Sequence, residues 1–122
     1  MKRIILLAFL CTTTLVMAQR INHVQEAIAN YDYEAALTLI AKEKPTIPLL
    51  LQKGKAQRGL GMNTEALSTY QEIIANDTAN TRAYIEAAEC CRSLAKYQQA
   101  LKYYEQALDL NPENKYVRIQ YI

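Results

Sequence analysis

The residues that could do chemistry are few and poorly placed for it. Cys90 and Cys91 are adjacent, His23 is the single histidine, and Glu86 and Glu89 lie three apart. Neighbouring residues on a helix point about 100° apart, so Cys90 and Cys91 cannot both grip one metal ion without further ligands. The same geometry argues against a disulfide between them, because a regular helix does not offer the required Cα separation and torsion. They are expected to fill interior positions as small apolar side chains, with His23 on the surface of its helix. Glu86 and Glu89, one helical turn apart, could in principle share acid–base work. Alternating charges along a helix are ordinarily a solvated face. Ser68 and Ser93 have no histidine partner in the pattern, and no glycine-rich phosphate loop is present. The expectation is therefore no catalysis, no metal and no cofactor.

The elements that carry these residues are helices. Tyr84, Ala87, Ala88, Cys91 and Leu94 fall on one helical face, as do Tyr97, Ala100, Leu101, Tyr104, Ala107 and Leu108. Ala95-Lys96 leaves room only for a tight antiparallel turn. Alanines at facing positions let the two axes approach. Three glycines, three prolines and one phenylalanine among 122 residues are too few for a β protein. The pattern then recurs: Gly54 and Ala88, Ala66 and Ala100, Tyr70 and Tyr104, and Ile73 and Ala107 are each 34 apart. A shorter version runs through Ile21, Val24, Ala27 and Ile28, a turn at Asn30-Tyr31-Asp32 with Asp32 as N-cap, and Tyr33, Ala36, Leu37, Ile40 and Ala41. Pro45 and Pro48 are expected to end that second helix. Gly54 suits a close helix contact, and Gly59 and Gly61 flank a turn where positive φ is expected. Asn63 is the expected cap of the helix that follows.

The stretch from Thr81 to Asn114 resembles a tetratricopeptide repeat (TPR), a helix–turn–helix unit of 34 residues. Ala100, Tyr104, Ala107 and Pro112 match the family pattern; Tyr84 stands in place of its first Trp, Ala87-Ala88 replace Leu-Gly, and Cys91 replaces Tyr. The resemblance implies an all-α solenoid of about three antiparallel hairpins, divided into residues 19–46, 47–80 and 81–114. Thr78 stands where the family usually has Pro. Residues 115–122 read as the start of a further or capping helix. That segment ends on apolar residues, so the sequence is expected to be the N-terminal piece of a longer array.

Residues 1–18 stand apart. Lys2 and Arg3 precede an apolar run, Ile4–Leu10, and Val16-Met17-Ala18 forms a small-x-small cleavage site. This reads as a signal peptide, with an apolar run too short to span a membrane. Cys11 follows Leu10 inside that run, which argues against lipid anchoring. The expected location is the periplasm or cell envelope, or the medium. Cleavage would remove Lys2 and Arg3 and leave 12 basic and 12 acidic residues. A neutral chain has no general field for nucleic acid or an acidic membrane surface.

What the resemblance implies functionally is a protein–protein interaction scaffold. The first helices of successive units would line a groove that takes a peptide or helix of a partner. Register places Gln52, Lys55 and Arg58 there from one unit, and Arg82, Ile85, Glu86, Glu89 and Arg92 from the next, with Asn22 and Gln25 extending the surface. Basic and acidic residues around Ile85 fit a charged peptide with an apolar anchor. On this reading, reversing charge at Lys55 and Arg58 should weaken a partner without changing stability. A clamp for a C-terminal carboxylate, as some TPR domains have, does not fit. Leu51 and Lys55 stand where Lys and Asn are expected and Glu86 where Arg is expected; only Arg82 agrees. Three alternatives stay open: a sensory or assembly module of a longer envelope protein, an exported enzyme or glycan-binding protein on a TPR scaffold, and a homodimer.

Overall fold

A computed structural model describes residues 2–121, and the side chains of residues 3–120. Ile122, the end of the expected further helix, and Met1, the first residue of the expected signal peptide, lie outside the described residues. Among the described residues seven helices follow in order: α1 (Lys2–Ala29), α2 (Tyr33–Ile40), α3 (Ile47–Gly59), α4 (Asn63–Asn76), α5 (Thr81–Ser93), α6 (Tyr97–Leu110) and α7 (Lys115–Tyr121). No strand occurs among them, as the helical periodicity predicts. Each helix packs on the next in the chain. This is the arrangement of a solenoid, in which every hairpin buries its faces on its neighbours.

The 34-residue period appears in the caps. Thr46, Asn80 and Asn114 each accept a bond from the backbone N–H three residues on, at Leu49 (3.4 Å), Ala83 (3.0 Å) and Val117 (3.2 Å). Each satisfies a donor that the first helical turn leaves unpaired. The turns repeat too: Tyr31, Gly61 and Ala95 all have positive φ, at 60°, 74° and 59°. Only Gly61 adopts this conformation without Cβ strain.

Gly59 serves packing instead of turning. A Cβ there would lie 2.4 Å from the Tyr33 ring, and one at Gly54 would lie 2.5 Å from the Tyr70 ring. Both glycines thus admit a tyrosine against the helix backbone. Asp32 caps α2 as expected, accepting from the Ala35 N–H at 3.2 Å.

Several expectations fail locally. Asn63 sits within the first turn of α4, whose cap position is Met62 with no side-chain bond. α2 stops at Ile40, before either proline, and Ala41 is its exposed C-cap. Pro48 lies in the first turn of α3, where its missing N–H costs nothing. Tyr97 and Leu101 are not core residues: they are 63% and 37% exposed. Leu67, one repeat earlier, is only 5% exposed and belongs to the core cluster that α4 shares with α5.

The core forms two clusters. Val24, Ile28, Ala36, Ile40, Leu49 and Ala56 join α1, α2 and α3. Leu50, Tyr70, Ile73, Tyr84, Tyr104, Val117 and the alanines between them join α3 to α7. Cys90 and Cys91 belong to the second cluster as free, fully buried thiols. Residues 3–20 of α1 belong to neither and are exposed on every side.

Candidate functional site

The inner faces of α3 and α5 meet along a line of charged side chains. Lys55, Arg58, Arg82 and Glu86 line one cleft of about 420 Å³ together with Tyr33 and Asn63. Arg58, Arg82 and Glu86 also line an adjoining cleft of about 530 Å³, with Ile85, Glu89, Asn114 and Tyr116. The Arg58–Glu86 ion pair stands between the two. Six of the eight predicted groove residues are therefore brought together. Gln52 is half-buried and lines neither cleft, and Arg92 lies at the far end of α5. Asn22 and Gln25 are exposed on α1, outside both.

The charges are largely occupied with one another. Arg58 donates to Glu86, and its Nε is buried without a partner. Burial works against the guanidinium's charge, but the Glu86 carboxylate more than compensates and raises its pKa. Glu89 accepts from the hydroxyls of Tyr104 at 2.5 Å and Tyr116 at 2.7 Å, and from Arg92 at 3.4 Å. Burial would push the Glu89 carboxyl up; the two tyrosine bonds and Arg92 outweigh it and hold its pKa low. Arg92 also donates to Gln120 at 2.8 Å. Lys55 and Arg82 make no salt bridge among the described residues.

This pairing corrects one expectation. Reversing charge at Arg58 would set two carboxylates side by side with Glu86, so that substitution would itself change stability. Lys55 and Arg82 are the clean probes. Glu86 and Glu89 are each committed to a structural partner, as befits a solvated and bridged helix face more than an acid–base pair. Among the described residues no group of three potential metal ligands occurs. His23 is on the surface and lies 4.0 Å from Glu26.

Two features escaped the sequence reading. Tyr116, assigned only to a trailing helix, reaches back to Glu89 and closes the cleft. A third cleft of about 410 Å³ opens where α2 is short, between its end and α3, with Lys53, Gln57 and Glu72 on its wall. The signal for the second was the missing length of α2, eight residues against fourteen in α4.

Residues 81–114 match the tetratricopeptide repeat family. The fold around them is a TPR-like α-solenoid. Solved structures of the same fold include PcrH in complex with the chaperone binding region of PopB (TM-score 0.77, 18% identity, 87% of this chain and 91% of that one). The first TPR of Spaghetti (RPAP3) bound to the HSP90 peptide SRMEEVD superposes with TM-score 0.80 at 21% identity, over 85% of this chain and 86% of that one. The Yersinia enterocolitica type III secretion chaperone SycD, in complex with a peptide of the translocator YopD, has TM-score 0.77 at 16% identity, over 86% and 83%. No curated protein matches the chain.

Proposed function

We propose that this TPR-like protein is a non-catalytic adaptor that binds a segment of a partner protein in the groove between α3, α5 and α7. The observation that carries this reading is the gathering of Lys55, Arg58, Arg82, Ile85, Glu86 and Glu89 around two adjoining clefts. Three structural neighbours were solved with peptides or binding regions of their partners, which supports the same use of the fold here. The finer part of the proposal is export. Residues 3–20 expose an apolar helix surface to water on all sides, and no core contact holds them. The apolar run is expected to be too short for a membrane, but the helix from Arg3 to Ala29 is long and apolar enough to cross one, and a signal sequence passes the same test. Cleavage after Ala18 would remove this surface and leave Ile21, Val24 and Ile28 in the core.

The test is to tag the protein in its own cell, recover it from the envelope fraction and measure its mass and its partner. A mass near that of residues 19–122 with one stoichiometric partner, lost on Lys55→Glu with Arg82→Glu, is the expected result. Retention of the partner by that double variant overturns the groove assignment. A second reading, a module that stacks on further helices, is favoured by the exposed Tyr97, Leu101 and Ile119. A much larger native mass would select it.

A further inference from the structure

Cleavage after Ala18 would make Gln19 the first residue of a shortened α1. The contacts that hold that end in place start immediately after it. Arg20 donates to Glu43 at 2.9 Å, and the Glu43 side chain is only 11% exposed. Ile21 is half-buried and Val24 is fully buried. Gln19 itself is exposed, and its side chain makes no hydrogen bond among the described residues. Its amide is therefore free to turn back on its own backbone nitrogen. A residue packed in the core, or one whose amide was held by a neighbour, would resist that movement.

We propose that Gln19 is a modification site, closing on its own α-amine to give an N-terminal pyroglutamate. This rests on the export reading above and specifies the chain end that cleavage leaves. The α-nitrogen attacks the side-chain carbonyl carbon Cδ and forms a five-membered lactam. The Cδ–Nε2 bond breaks, and the side-chain nitrogen leaves as ammonia with the proton that the α-nitrogen gives up. The step needs no oxidant, reductant or second substrate. The attacking form is the neutral amine. The positive end of a helix dipole disfavours an ammonium placed there, which favours the attacking form. The lactam product carries no charge at that end, and on an exposed residue its ring displaces no core side chain. A cut one residue to either side would put Ala18 or Arg20 first, and neither has an amide to lose.

The test reads the first residue of the native protein recovered from the envelope fraction. Free amines of the intact protein are labelled by reductive dimethylation, and a glutamate-specific protease then releases residues 19–26, which contain no lysine. Label on that peptide reports its α-amine alone. Because labelling precedes digestion, ring closure during handling of the peptide cannot imitate the result. The expected peptide is unlabelled and lighter than Gln19–Glu26 by one ammonia, and the corresponding peptide of Gln19→Ala carries the label. A labelled Gln19–Glu26 peptide of full mass would overturn the modification and leave export standing. So would a cleaved chain that starts at any other residue. A peptide that still carries residues 2–18 would overturn the export reading and this inference with it.

Discussion

Glu89 is the most connected side chain of the groove, and its environment has a measurable consequence. Bonds from Tyr104, Tyr116 and Arg92 outweigh burial and depress its folded pKa. A depressed carboxyl contributes stability above its unfolded pKa, about 4.3 for glutamate, and loses it as pH falls through the folded value. Glu89→Gln should therefore lower the urea midpoint at pH 7, and the difference should be smaller at pH 3. A constant difference at both values would show that the charge is irrelevant. The two thiols behave in the opposite sense. Burial pushes Cys90 up to about 11 and raises Cys91, which keeps both protonated and inert at neutral pH. Their role as interior apolar groups was legible from their place on the face with Ala87 and Ala88. The bonds to Glu89 were not, because they come from helices 15 and 27 residues away.

Among the elements, the α5–α6 hairpin is the most regular. Ala87, Ala88, Ala100 and Ala107 are buried where the two helices meet, which leaves space for Tyr104 and no more. Ala100→Arg forces an unpaired charge into that seam, a change that costs about 3–5 kcal/mol. This is comparable to the whole stability of a small domain. The expected outcome is loss of helicity and of the cooperative transition in circular dichroism. A melting curve like the parent's would show that the register is wrong. α2 illustrates the reverse case. Its eight residues end with no proline at the boundary, so no local signal announced the stop.

For the whole molecule, the division falls inside α1. The helix is continuous from Lys2 to Ala29, yet burial begins only at Ile21. The fold therefore makes no use of residues 3–18. Removing residues 2–18 should change the unfolding free energy by no more than about 0.5 kcal/mol and should improve solubility. A large loss of stability on truncation would show that the N-terminal segment is part of the folded protein. The other end behaves differently: Val117 is fully buried and Tyr116 bonds Glu89, so α7 completes the groove wall.

The sequence by itself determined the helical class, the 34-residue period and the inward faces. Those depend on spacing along one chain segment, and helix geometry converts spacing into direction. Of its six charged candidates, Lys55, Arg58, Arg82, Glu86 and Glu89 line the clefts and Arg92 does not. Only the tertiary structure decided which of those charges remain available. Whether Arg58 is free or spent depends on the distance to Glu86 across two helices, and no periodicity encodes that distance. The same holds for Leu101, which is core by its pattern and exposed in the fold. Burial is a property of what packs against a residue, which no spacing along one segment encodes.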